Sequence, residues 1–97
     1  MLHIVNKSPF TNSSLDSCLR VAQGGDVLLI EDAVYAAVAG AAEKQVRDAM
    51  KRFTFHVLQA DLEARGIADR VMDGINKVDY GGFVELAAKN KNCQSWL

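Results

Sequence analysis

The chain has 97 residues, 49% of them hydrophobic and 24% charged, which excludes a disordered or collagen-like polymer and leaves room for one core, hence a single domain over residues 1–97. Eleven basic residues against twelve acidic ones give a net charge of −1, and the basic residues are scattered rather than gathered into a stripe, so no nucleic-acid-binding surface is expected. A charge so near zero does little to oppose association, which favours an oligomer.

In chain order, Leu2 to Val5 reads as a first strand. The loop Asn6-Lys7-Ser8-Pro9-Phe10 follows it, because proline forces an extended residue before itself and blocks a sheet ladder. Thr11 to Ser14 offers several N-caps for a helix from Leu15 to Gln23, on which Leu15, Cys18, Leu19 and Ala22 share one buried stripe. Gly24-Gly25 ends it. Asp26-Val27-Leu28-Leu29-Ile30-Glu31-Asp32 then reads as a strand buried on both faces, the scaffold around which the other elements arrange.

A short alanine-rich helix is expected over Ala33 to Val38, broken by Gly40, and a second helical piece over Glu43 to Met50. Phe53 to Leu58 is strand-like by its aromatic and branched content, and a helix from Ala60 to Arg65 ends at Gly66, a C-cap glycine. Ile75 to Val78 is a fourth strand candidate, Asp79 opens a helix over Gly81 to Lys89, and Cys93 to Leu97 supplies a last short strand or an ordered tail. The alternation of strand and helix predicts an α/β fold with a mostly parallel sheet, right-handed crossovers and helices on both faces. On that arrangement the loops carrying Lys7 and Ser8, Glu31 and Asp32, Gln59 and Asp61, and Asp79 and Tyr80 meet at the carboxyl edge of the sheet, where doubly wound proteins place their chemistry.

Met1 is followed directly by Leu2-His3-Ile4-Val5, without the basic leader or apolar core of a signal peptide, and no apolar run approaches the roughly 20 residues that span a bilayer. A cytoplasmic protein with no membrane contact is the expectation. Cys18 and Cys93 fit neither a disulfide framework nor a zinc site and are expected as free thiols.

Cys18 is the candidate nucleophile or sulfur carrier, set against its place on the apolar stripe, where a cysteine is a small packed hydrophobe. Cys93 follows Lys89 and Lys91, whose charges would favour a thiolate; the alternative is a structural place in a terminal strand. His3 and His56 lie in strands with no Ser, Cys or acid at catalytic spacing, so both are expected as satisfied sheet residues or interface contacts. Glu31, Asp32, Asp61 and Asp79 could converge as a carboxylate cluster, yet Asp32, Asp61 and Asp79 each precede a helix, and capping is the better account. The loop Asn6 to Asn12 lacks the glycines of a phosphate-cradling turn, so no cofactor and no metal are expected.

Several of these segments, in this order, resemble the DsrH/TusB family of sulfur-relay subunits. They are Leu2-His3, Asn6-Lys7-Ser8-Pro9-Phe10, Leu28-Leu29-Ile30-Glu31-Asp32 with Val34 and Ala36-Ala37-Val38, then Asp61-Leu62-Glu63-Ala64-Arg65-Gly66, Val78-Asp79-Tyr80 with Phe83-Val84, and Trp96. The resemblance implies a small flavodoxin-like (DsrE/F/H-like) three-layer domain in a cytoplasmic heterohexamer. The companions would be DsrE/TusD-like and DsrF/TusC-like subunits, and sulfur would pass as persulfide to a DsrC/TusE-like carrier. In the Tus branch that sulfur ends in 2-thiouridine of transfer RNA; in the Dsr branch it serves sulfur oxidation. The principal sulfur-carrying cysteine of such complexes belongs to the DsrE/TusD-like subunit. Cys18 matches a cysteine characteristic of DsrH in sulfur oxidisers, as does the Asn6 to Phe10 wording, which tilts the reading to the Dsr branch and makes Cys18 a sulfur acceptor by resemblance. A purely structural docking subunit is the competing reading. Ala33 stands where the family usually has glycine, which puts a close backbone approach or unusual dihedral there in doubt.

Overall fold

A computed structural model describes residues 1–40 and 42–96. Five strands, β1 (Leu2–Val5), β2 (Gly25–Leu29), β3 (Phe53–Leu58), β4 (Asn76–Val78) and β5 (Cys93–Trp96), form one sheet in the order β4-β3-β2-β1-β5. Every pairing is parallel, with Val27 level with His3 and Phe55, and Leu2 level with Cys93. The candidate tail is therefore a strand; Leu97 lies outside the described residues.

The helices are α1 (Ser14–Val21), α2 (Glu43–Ala49), α3 (Gln59–Ala64) and α4 (Tyr80–Lys89), with 3-10 turns at Glu31–Ala37 and Ala68–Arg70. The first three crossovers each step to the next strand in one direction, and the fourth returns across the sheet to the far side of β1. With right-handed connections, that reversal puts α1, α2 and α3 on one face and α4 alone on the other. The packing agrees. On the first face Val5, Val27, Leu29, Phe55 and Val57 meet Leu15, Cys18, Leu19, Val46 and Leu62. On the second, Leu2 and Leu28 meet Leu86, with Ile4, Ile30, Val78, Phe83 and Ala87 only partly buried around them. The strand-to-strand spacing of about 4.8 Å gives a five-stranded sheet some 19 Å across, and one helix about 10 Å wide cannot cover it.

Where an α-helix is expected over Ala33 to Val38, the chain forms a 3-10 turn. At three residues per turn, positions i and i+3 eclipse, and the pairs Ala33/Ala36 and Val34/Ala37 are all at most 1% exposed. Small side chains let the tighter coil lie close on the sheet. Asp79 caps α4 as expected, accepting the Gly82 N–H at 2.7 Å. Gly66, with φ 68°, takes the left-handed position after α3. Gly25 enters β2 at φ 112°, where a Cβ would collide with the Met1 carbonyl, so glycine is needed for β1 to lie alongside.

Candidate functional site

The parallel sheet brings its carboxyl-end loops together, and three of them are tied by side chains. The Asn6 amide donates to Glu31 Oε2 at 3.4 Å, the Glu31 backbone N–H donates to Asp61 Oδ2 at 2.7 Å, and Arg65 donates through Nη2 and Nε to Asp32 Oδ1 at 2.8 and 3.1 Å. Arg65 Nη1 also donates to the Asp61 carbonyl at 3.1 Å. Asp32 and Asp61 are thus not caps: each lies inside its helical turn, and its carboxylate binds a neighbouring loop instead. Of the three expected caps, only Asp79 is one. Among the described residues, no group of three or more His, Cys, Asp or Glu is placed to hold a metal ion.

Glu31 is the single non-glycine residue with positive φ, at 52°, among those described. The unusual dihedral in this turn sits two residues before Ala33, which is itself packed at 1% exposure. A left-handed residue costs about 1–2 kcal/mol, and the Asp61 carboxylate that receives its N–H holds it there. Asp61→Ala should therefore destabilise by about 1–2 kcal/mol, whereas Glu31→Gly should be close to neutral because relieved strain offsets added chain entropy. Urea unfolding of the two variants measures both; equal losses would show that the turn is not strained.

Cys18 lies on α1 facing the sheet and is 0% exposed. Burial pushes its thiol up to about 11, because a thiolate would be stranded in an apolar core. Its neighbours Asp16 and Arg20 pair with each other at 3.2 Å on the outer side of the helix, so neither charge is directed to the thiol. Cys93 is free and exposed on β5.

The second face carries an arrangement that sequence spacing could not show. His56 Nε2 donates to Asp26 Oδ1 at 2.9 Å, the Asn90 amide donates to Asp26 Oδ2 at 3.2 Å, and Lys89 Nζ stands 3.9 Å from Oδ2. Burial raises the Asp26 carboxyl, but the hydrogen bonds from His56 and Asn90 and the charge of Lys89 outweigh it and hold it below the usual aspartate value. Asp26 and His56 are 8% and 7% exposed, and His56 Nδ1 is buried without a partner. An acid does stand beside His56, thirty positions away. The available signal was two polar residues inside otherwise apolar strands.

His3, on the first face, is 3% exposed and bonded through both ring nitrogens, to Trp96 and to the Gly24 carbonyl. Among the described residues, no helix is long and apolar enough to cross a membrane.

These features define a small flavodoxin-like α/β domain. Solved structures share it: the ychN protein from E. coli superposes with a TM-score of 0.79 at 18% identity, covering 97% of both chains. MTH1491 from Methanobacterium thermoautotrophicum gives 0.74 at 16% identity, covering 97% of this chain and 95% of that one. The family described as "DsrH like protein" matches residues 7–93. Protein TusB of Klebsiella pneumoniae (strain 342) is 36% identical, and Protein TusB of Serratia proteamaculans (strain 568) 37% identical, each over 99% of this chain and all of the relative. The chain belongs to the DsrH/TusB family of sulfur-relay subunits.

Proposed function

We propose that this chain is the DsrH-type subunit of a cytoplasmic heterohexameric relay. Its DsrE/TusD-like companion carries the working cysteine, a DsrF/TusC-like chain completes the trimer, and persulfide sulfur passes on to a DsrC/TusE-like carrier. The observation that supports a docking role is the second face of the sheet. One helix covers it, Ile4, Ile30 and Phe83 stay partly open, and Tyr80 and Val84, one turn apart on α4, are 62% and 66% exposed. Val84→Asp leaves the core untouched. It should weaken co-purification with the two companion subunits at least about tenfold, a cost of about 1.4 kcal/mol, with the melting temperature of the isolated chain unchanged. Unaltered assembly would remove α4 as the docking surface.

Within that complex the buried, protonated state of Cys18 favours packing over sulfur acceptance, so transfer runs through the companion's cysteine. The oxidative branch draws its support from Cys18 and the Asn6 to Phe10 loop. The transfer-RNA branch is the second reading, and it is favoured by the relatives named TusB. Expression in a strain lacking its own TusB separates them: restored 2-thiouridine supports the Tus branch, and failure there with restored sulfur oxidation in a strain lacking DsrH supports the Dsr branch.

A further inference from the structure

We propose that His3 and Trp96 form an acid-sensitive latch on the edge strand β5. The Trp96 indole N–H donates to His3 Nδ1 at 3.2 Å, and His3 Nε2 lies 3.2 Å from the Gly24 carbonyl oxygen. An indole nitrogen can only donate and a carbonyl oxygen can only accept. The two contacts together therefore fix one protonation state: Nδ1 bare, the hydrogen on Nε2, the ring neutral. A second proton has only Nδ1 to go to, and there it would set N–H against N–H.

Among the described residues, no carboxylate bonds to His3 to compensate that extra charge. His3 lies edge-on to Phe53, with ring centres 6.0 Å apart, and the Arg52 guanidinium covers Phe53 at 5.0 Å. His3 and Trp96 also line an open cavity of about 340 Å³ with Met1, Ala22, Gly24 and Gln94. Among the described residues, the charged side chain that packs on Phe53 beside His3 is that of Arg52, a cation, while Asp16 and Arg20 of α1 pair with each other at 3.2 Å. Asp26, in the neighbouring β2, is level with Leu2 and bonds to His56 and Asn90 on the opposite face.

Trp96 is the place where β5 is anchored by more than its ladder. Gln94 and Ser95 are exposed, Cys93 is exposed, and Trp96 alone in the strand reaches the first-face core. Protonating His3 removes the indole's acceptor and releases that anchor, so β5 loosens from β1 while the remaining four strands stay paired. The latch is closed with neutral imidazole and opens when the ring takes a second proton. This inference does not depend on the sulfur-relay reading.

The chain has one tryptophan and two histidines, which makes the test selective. Emission of the whole chain should shift to longer wavelength on acidification within the range where the chain stays folded, with far-ultraviolet circular dichroism largely unchanged. His3→Gln keeps an acceptor for the indole but does not titrate, and should abolish the shift; His56→Gln should retain it. No shift in the unmodified chain, or the same shift in His3→Gln, would overturn the latch. Nitrogen-15 imidazole spectra of the unmodified chain provide a second reading at pH 8. A hydrogen on Nε2 of His3 is expected, and a hydrogen on Nδ1 would equally overturn it.

Discussion

At pH 8, iodoacetamide should label Cys93 within the time in which Cys18 stays unmodified, a difference of at least about a hundredfold in rate. Two independent causes act together. With its thiol pushed up to about 11, Cys18 is ionised in only about one molecule in a thousand at that pH, against about a quarter for an ordinary thiol near 8.5. It is also 0% exposed on the sheet-facing side of α1, so reaction needs a local opening whose free energy lowers the rate further. Intact-mass measurement should show a single adduct in native buffer and a second on denaturation. Rapid double labelling of the native chain would restore Cys18 as a sulfur acceptor. The same experiment with a persulfide donor and the assembled complex asks whether a partner opens the site. Cys18→Ala should cost only about 1 kcal/mol, since it removes one sulfur atom from a packed stripe.

Asp26→Ala should destabilise the chain by about 2–4 kcal/mol, the largest loss expected from any single polar substitution described above. The carboxylate is the acceptor for His56 and Asn90 at once, so removing it strands the buried His56 N–H, at about 1–3 kcal/mol, and takes one of two acceptors from the half-buried Asn90 amide, which keeps the Leu86 carbonyl at 2.9 Å. Asp26→Asn keeps one acceptor and should lose roughly half as much. The acid dependence has a definite sign. Because the folded carboxyl is held below its unfolded value, the bound proton favours the unfolded chain. The stabilisation is whole above the unfolded aspartate value of about 3.9 and fades as pH falls from there through the lower folded one. Denaturant midpoints measured across that window should fall more steeply for the unmodified chain than for Asp26→Ala. Parallel curves would mean that Asp26 is not the group responsible.

The element order was legible because the apolar runs and their punctuation agree. Leu2 to Val5 and Phe53 to Leu58 are strands with the expected bounds, and the all-parallel sheet follows from alternation alone. The 3-10 turn at Glu31–Ala37 was not legible, since alanine spacing alone does not separate two helical coils that differ by about 0.6 residue per turn. Nor were the ties at the carboxyl edge. Asp32 and Asp61 have the position of caps in one dimension, and their true partners, Arg65 and the Glu31 N–H, come from loops about thirty residues away. Cys18 was legible as an ambiguity, a thiol on an apolar stripe, and burial weighs its two readings unequally. Asp26 and His56 escaped because their partnership depends on register between two strands.

The strand order also sets a schedule. β1 is made first yet lies second from the edge, flanked on one side by β5, whose residues are made after all the others in the sheet. During synthesis the growing sheet can extend from β1 through β4 while the outer rim of β1 remains a bare ladder of donors and acceptors. Such a rim pairs readily with other chains. Closure by residues 93–96 is then the step that ends its exposure to misassembly, and shortening the chain before Cys93 should convert a foldable domain into an aggregating one.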